Sequence, residues 1–411
     1  MASNSLLETC ANRRAEILRA GYEMGRDAVA RGAAGAPHAY VVPPAQHDPA
    51  AAGQLVSILR ENGLEARLAE SELAAPDGRR FPAGSVVLPA DQPYRGFLLE
   101  MMERQRYPEI RPSPDAKDIF KPYDVTAWTL PLMMGVDWAR VDGPLDGRLG
   151  GAPDSAWPGP PAPAGDGDCL VAPAGSSASV RLVNRLLAAG AKVERALEAF
   201  EAQGHRFAPG DWLLPRAALA RAGRGPAPAL TALAQWPAVR RATVAAPRVG
   251  LYRAWLADMD EGWTRYVLDD YGFAYTSLDN AAMRAEGLRR RFDVIVLPSL
   301  DKDLVVDGRR KPEGQDRWFE PLPPPYDGGI GRDGAANLRT FVEEGGTLVC
   351  LSASAGLAIE ELRLPVRDVL AGAKPGEVAL PGVMVNLAVD PSHPLGFGLP
   401  AECAAFCGGG P

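Results

Sequence analysis

Two stretches, Arg80-Phe-Pro-Ala-Gly-Ser-Val-Val-Leu-Pro89 and Arg206-Phe-Ala-Pro-Gly-Asp-Trp-Leu-Leu-Pro215, follow one plan: an aromatic, a proline and a glycine, an apolar run, and a closing proline. Proline presets the first turn residue and glycine accepts positive φ at the second, so each stretch predicts a tight turn feeding a strand. Upstream, Gly63-Leu-Glu-Ala-Arg-Leu-Ala-Glu70 is echoed by Gly190-Ala-Lys-Val-Glu-Arg-Ala-Leu197, and Leu55 and Leu59 align with Leu182 and Leu186. The offset is 126 residues for the first pair of stretches (206 against 80) and 127 for the second (190 against 63). A repeat of this length predicts two related α/β lobes, each running helix, strand, turn, strand.

Working outward, residues 36–142 form the first expected lobe and 168–245 the second. Residues 143–167 between them are rich in Pro, Gly, Asp and Ala and predict a linker. The first lobe opens with a strand at His38-Ala-Tyr-Val-Val42, a helix near Ala51–Asn62, a Gly63 stop and a strand at Leu64–Leu68, a β-α-β unit, with a further helix near Tyr94–Gln105. Residues 1–35 predict a long helix, spanning 5–31 and closed by Gly32. Pro122-Tyr-Asp-Val-Thr-Ala-Trp-Thr-Leu-Pro-Leu-Met-Met-Gly-Val136 predicts a packed strand plus helix between the lobes; the alternative turns Tyr123, Asp124 and Trp128 towards a ligand.

From Arg248 the pattern changes. Strands at Val249–Arg253, Phe273–Ser277, Phe292–Pro298 and Thr347–Leu351 alternate with helices near Glu261–Tyr271 and Ala335–Glu344. Continuous apolar strands separated by helices predict a parallel, doubly wound sheet of flavodoxin-like type over residues 246–378, with 379–411 as a truncated C-terminal segment.

Composition bounds the function. The 411 residues suffice for two or three cores, and 46% apolar with 23% charged residues is ordinary for a folded chain. A net charge of −7 argues against broad binding to nucleic acid. No apolar run approaches the roughly 20 residues of a spanning helix, and the N-terminus has no secretory h-region. Nothing in the chain fixes its compartment. The five cysteines are scattered, and Cys403 and Cys407 read as incidental thiols rather than half a zinc site.

Chemistry has few places to sit. Cys350-Leu-Ser-Ala-Ser-Ala-Gly356 follows the last strand, where hydrolases and amidotransferases carry a nucleophile, but a glycine is missing where the strained turn needs one. Cys350, Ser352 or Ser354 would need a base, and of four histidines only His393 follows, inside the turn-like Asp390-Pro-Ser-His-Pro394. Gly328-Gly-Ile-Gly331 ahead of a helix reads as a turn and cap more readily than as an anion cradle. His47-Asp48-Pro49 reads as a capping or surface cluster, and no H-x-x-E or H-E-x-x-H pair occurs.

Several segments together resemble the C-terminal part of bacterial proteins related to carboxypeptidase A, zinc carboxypeptidases with an appended class I glutamine-amidotransferase-like domain. They are Asn12-Arg-Arg with Tyr22-Glu-Met-Gly, Phe81-Pro-Ala-Gly-Ser-Val-Val, Gln92-Pro-Tyr-Arg95, Pro122-Tyr-Asp-Val-Thr-Ala-Trp-Thr-Leu-Pro131, Tyr326-Asp-Gly-Gly-Ile-Gly331 and Phe341-Val-Glu-Glu-Gly-Gly-Thr-Leu348. The resemblance implies metallocarboxypeptidase activity in the family, with zinc held by a preceding peptidase domain whose ligands this sequence lacks. It implies that the chain is a fragment or split gene product serving as a non-catalytic accessory region, and that full-length relatives are exported. The expected partner is a zinc peptidase domain in cis or as a separate chain, with a peptide or glycan as a further ligand. Two alternatives stay open: an amidotransferase-like hydrolase using the turn after Leu351, and a peptide- or glycan-binding module whose cleft is lined by Tyr123, Trp128 or Trp212.

Overall fold

A computed structural model describes residues 2–408 apart from 112, 114, 116–119, 121, 123, 152–162, 164, 257, 309–327, 371 and 374–379. The chain opens with α1 (Ala2–Asn12) and α2 (Arg14–Ala34), nearly one continuous helix. Gly32 does not end it, contrary to expectation. Helix α2 continues to Ala34, and a Cβ at position 32 would stand 2.0 Å from the Ala90 carbonyl oxygen. That glycine is where helix backbone meets lobe backbone, a close approach only a missing side chain permits.

The first sheet is built from β1 (Ala39–Val42), β2 (Arg67–Leu68), β5 (Val86–Pro89) and β6 (Ala139–Val141) in the order β2-β5-β1-β6. Helix α3 (Pro49–Glu61) joins β1 to β2, the hairpin β3 (Leu73–Ala74) and β4 (Arg80–Phe81) precedes β5, and α4 (Arg95–Met102) and α5 (Leu130–Met134) follow. The β-α-β unit is therefore not a neighbouring pair, because β5 lies between β1 and β2, antiparallel to both. Of the strand plus helix expected at 122–136, α5 forms, and there is no strand among the described residues of that stretch. The backbone before it runs instead against the C-terminal segment: Ala127 N–H donates to the Gly382 carbonyl at 3.0 Å.

The second sheet repeats the plan with β7 (Cys169–Ala172), α6 (Ser177–Ala188), β8 (Val193–Ala196), the hairpin β9 (Phe200–Ala202) and β10 (His205–Phe207), β11 (Trp212–Pro215) and β12 (Thr231–Leu233). Its order, β12-β7-β11-β8-β13, adds β13 (Arg241–Val244) at the far edge. Registers match: Ala39 faces Pro89 and Val141 in the first sheet, and Cys169 faces Pro215 and Leu233 in the second. Both turns close alike, Ser85 N–H on the Pro82 carbonyl and Asp211 N–H on that of Ala208, with Gly84 and Gly210 at φ 86° and 96°. Proline before glycine at 209–210 is the type II signature. Asp48 joins the sheets' helices: its carboxylate caps α3 through Ala50 N–H (3.0 Å) and reaches Ser177 N–H (2.9 Å) and Ser176 Oγ (3.1 Å) at the start of α6. One negative charge thus serves two positive helix ends.

The third unit carries β14 (Val249–Tyr252), α7 (Met259–Asp270), β15 (Tyr275–Leu278), α8 (Asn280–Arg284), α9 (Leu288–Arg291), β16 (Val294–Leu297), α10 (Lys302–Asp307), α11 (Gly331–Glu343), β17 (Thr347–Cys350) and α12 (Ala355–Glu361). Its four strands are all parallel in the order β15-β14-β16-β17. The two faces are unequal. Tyr252, Ile295 and Leu297 pack under residues of α8 through α12, whereas Val249, Leu251 and Val296 on the other face meet Leu268 of α7. The loop before α11 spends its own groups: Asn280 Nδ2 donates to the Gly328 carbonyl, Arg284 donates to that of Gly329, and Ile330 N–H donates to that of Val305.

Within the segment from residue 379, β18 (Val383–Ala388) pairs antiparallel with β19 (Glu402–Cys407). Its long connection docks on the lobes. His47 Nε2 lies 2.8 Å from the Gly398 carbonyl, and Phe397 covers Gly210, where a Cβ would come within 2.6 Å of it. Among the described residues no helix is long and apolar enough to cross a membrane.

Candidate functional site

The turn after β17 is the first place to look for a nucleophile. Leu351 N–H still pairs with the Leu297 carbonyl at 3.1 Å, and Ser352 then turns to φ 47°, exposed at the carboxyl end of the parallel sheet. A non-glycine residue there costs about 1 kcal/mol, and the sequence reading missed that Ser352 takes this position. Positive φ is not particular to the turn, since Gln203 and Arg363 share it at 51° and 52°.

The neighbouring groups are held by contacts of the fold itself. Ser354 is fully buried, and its Oγ lies 2.9 Å from the Leu351 carbonyl and 3.2 Å from that of Leu297, so its proton closes the turn. Burial pushes the Cys350 thiol up to about 11, which keeps it protonated and weakly nucleophilic at neutral pH. His393 sits in the docked connection. Its Nδ1 accepts the Leu395 N–H at 3.2 Å, and among the described residues it makes no hydrogen bond to Cys350, Ser352 or Ser354. The sequence places these four residues in one candidate set; Cys350 ends β17, Ser352 and Ser354 share the turn after it, and His393 lies in the connection between β18 and β19.

A cleft of about 570 Å³ on the first lobe does gather two of the three ligand candidates, Asp124 and Trp128, with Glu103, Arg104, Arg106 and Tyr107. Tyr123 lies outside the described residues. The floor is fixed by Gln105, whose Oε1 accepts the Trp128 N–H at 3.0 Å and lies 2.7 Å from Thr129 Oγ1. Behind it Tyr40 Oη donates to Glu103 Oε1 at 2.8 Å, and Arg140 Nη1 donates to the same oxygen at 2.6 Å. Burial, then the Glu103 hydrogen bond and charge, push the Tyr40 phenol far above its ordinary value, so it stays a neutral donor. Asp124 Oδ1 accepts its own neighbour's N–H, that of Val125, at 2.7 Å. Sequence reading missed the participation of 99–108, because nothing in an ordinary helix end signals which loop will return to it.

Trp212, the third aromatic expected in a cleft, is covered by the chain itself. The Arg195 guanidinium lies 4.7 Å from the Trp212 ring centroid and 5.0 Å from that of Phe397, and Arg195 Nε donates to the Gly210 carbonyl at 3.0 Å. Beneath it the buried Asp211 accepts N–H groups from Ala174 (2.8 Å) and Ala208 (2.9 Å).

Among the described residues no three His, Cys, Asp or Glu side chains gather as a metal ion would need. No family model, no curated protein and no solved structure matches this chain.

Proposed function

We propose that the chain is a non-catalytic accessory region of a zinc-carboxypeptidase-like protein: two related lobes and an amidotransferase-like, flavodoxin-like domain that dock on a zinc peptidase domain, in cis or as a separate chain. The observation that carries this reading is the seam along α2. Leu18, Tyr22, Gly25, Val29 and Gly32 follow one another at steps of four and three, one helix face. Its lower part rests on the first lobe, where a Cβ on Gly25 would meet Pro93 and one on Gly32 would meet Ala90. Its upper part continues unburied, with Leu18 72% and Tyr22 70% exposed, and Leu7 of α1 68% exposed. A helix face half seated on its own lobe and half bare is shaped to hold a second body. The strand order of the third unit and the engaged state of Ser354 and His393 support an amidotransferase-like scaffold without its chemistry.

Metal analysis and release of C-terminal residues from peptides, on the purified chain, test the non-catalytic half of the proposal. Near-stoichiometric zinc together with release would overturn it. Capture of a carboxypeptidase A-like zinc domain tests the docking half, and Tyr22→Glu with Leu18→Glu should abolish that capture while leaving the fold intact.

A second reading rests on the Asp124 and Trp128 cleft, whose volume is that of a small-ligand site. Here the first lobe binds a peptide or glycan against Trp128. Calorimetry with peptides, muropeptides and glycans decides it: heat lost in Trp128→Ala supports it, and no heat with any of them ends it.

A further inference from the structure

The turns of the two lobes are backbone copies of one another. Gly84 N–H donates to the Ala69 carbonyl and Gly210 N–H to the Ala196 carbonyl, each at 2.8 Å, and Leu68 faces Val86 across the first sheet as Arg195 faces Trp212 across the second. At that cross-strand pair the chemistry changes outright. A scaffold that closes with a leucine and a fully buried valine has no structural need of a guanidinium and an indole there.

The chain covers this pair with the connection 389–401 between β18 and β19, and covers it by halves. Phe397 lends its ring to Arg195 and rests over Gly210, and the Gly398 carbonyl accepts from His47 Nε2 at 2.8 Å. The polar half is unmet. Trp212 Nε1 is buried with no hydrogen-bond partner among the described residues, a state folded proteins rarely leave. Arg195 spends Nε on the Gly210 carbonyl and forms no ion pair among the described residues, since the nearby Asp211 gives its two oxygens to the N–H groups of Ala174 and Ala208. The connection is also lightly held: from residue 390 to 400 Gly396 alone is buried, and Leu395 is 88% exposed.

We propose that Arg195, Trp212 and Gly210 form a binding site for a peptide that carries an aromatic residue beside a carboxylate, and that the connection 389–401 fills this site in cis as a strap. The ligand's ring takes the place of Phe397 on the guanidinium, and a peptide carbonyl accepts from His47 as that of Gly398 does. The carboxylate pairs with Arg195 and brings the acceptor oxygens that the strap, Pro394-Leu-Gly-Phe-Gly-Leu-Pro400, has no side chain to offer. Burial holds Arg195 below its ordinary pKa, the direction expected of a cation short of counter-charge. None of these residues lines the Trp128 cleft or belongs to the α2 face, so the site stands without either reading above.

Calorimetry on the full chain tests the proposal, with acetyl-Gly-Phe-Asp-Gly-amide, its Phe-Asn counterpart and phenylacetate as probes. Phe397→Ala with Gly398→Ala opens the strap: the ring is removed, and a Cβ at position 398 would stand 2.5 Å from the Ala174 carbonyl oxygen. The opened chain should bind the Phe-Asp peptide about thirtyfold tighter than the wild type, the worth of a desolvated cation–π contact. It should bind the Phe-Asn peptide about tenfold more weakly than the Phe-Asp one. Adding Arg195→Met should bring the two peptides level, and adding Trp128→Ala should change nothing. On the wild type itself, saturating Phe-Asp peptide should speed hydrogen exchange across residues 390–400, an arm that needs no variant to fold. An opened chain that binds neither peptide, binds both alike, or loses binding with Trp128→Ala overturns the site. Phenylacetate bound as tightly as the Phe-Asp peptide overturns its assignment to peptides. A wild type that binds as tightly as the opened chain, or binds with no change in exchange, overturns the strap.

Discussion

The two lobes share a sheet order, a strand register and a turn, yet they differ at a few buried positions. Tyr40 faces Leu88 in the first sheet where Leu170 faces Leu214 in the second, and Ser85 closes the first turn where Asp211 closes the other. In the first lobe the strand carries a hydroxyl out to Glu103 beneath an open cleft. In the second it carries no polar group there, and the surface beside its turn is covered by Phe397. The lesson is that the repeat dictates the scaffold, while segments outside it leave a cleft on the first lobe and cover the second.

The sharpest test of shared scaffolding uses equivalent core leucines. Leu88 and Leu214 are fully buried at matching registers, so Leu88→Ala and Leu214→Ala should each cost about 2–5 kcal/mol, the transfer term plus the cavity. Hydrogen exchange should show each loss confined to its own sheet. Equal losses sharpen the comparison, and a loss in one lobe that melts both breaks it.

Sealing is tested next. Phe397→Ala removes the ring over Arg195 and the cover on Gly210, worth about 2 kcal/mol for a partly desolvated cation–π contact with its packing. The expected outcome is faster exchange across residues 390–400 and a change in Trp212 fluorescence, with the first lobe unaffected. Retained protection of that segment would show that the His47 contact to the Gly398 carbonyl holds it without the ring.

On the open side, Tyr40→Phe deletes the donor to Glu103 at the cost of about 1 kcal/mol. Arg140 remains on the same oxygen, so the carboxylate is not left bare. Urea unfolding should report the loss, and any ligand that heats the cleft should bind Tyr40→Phe with altered affinity. An unchanged midpoint would place the Glu103 side chain in water rather than on the phenol.

Much of this scaffold was legible in the sequence because the repeat is written in turn chemistry. A proline–glycine pair before an apolar run specifies a local conformation whatever surrounds it, and the apolar runs from Arg248 onward specify the parallel strands in the same way. Contacts between distant segments were not legible. Gly32 read as a stop signal because a close backbone approach and a C-cap ask for the same residue. Ser352 at positive φ was missed because serine carries no local preference for it. The fate of Trp212 depended on Phe397, almost two hundred residues away, and no periodicity links the two. The cleft was half legible, since Asp124 and Trp128 stood out by type while the helix end opposite them did not.

The smallest effect separates the second lobe from the third unit by sign. Burial raises Asp211 above its ordinary value, opposed by the N–H groups of Ala174 and Ala208 and by Arg195. A raised carboxyl holds its proton more tightly folded than unfolded, so its contribution to stability is fullest below the ordinary value of about 4 and declines as pH rises through the folded value. Asp293 is the opposite case: the Arg248 hydrogen bonds, and then Arg289, hold it well below the carboxylate range, so its contribution is present above that range and lost as pH falls. Serine at position 85 gives the first lobe neither slope at this turn. Asp211→Asn should therefore flatten the decline in second-lobe stability above about pH 4 and leave the acid-side loss from Asp293 in place. Asparagine also turns an N–H towards one of the two donors, which lowers stability at every pH, so the slope and not the midpoint is the readout. A second lobe whose slope is unchanged by Asp211→Asn would mean that the two backbone donors and Arg195 balance burial, and that the turns of the two lobes are electrostatically alike after all.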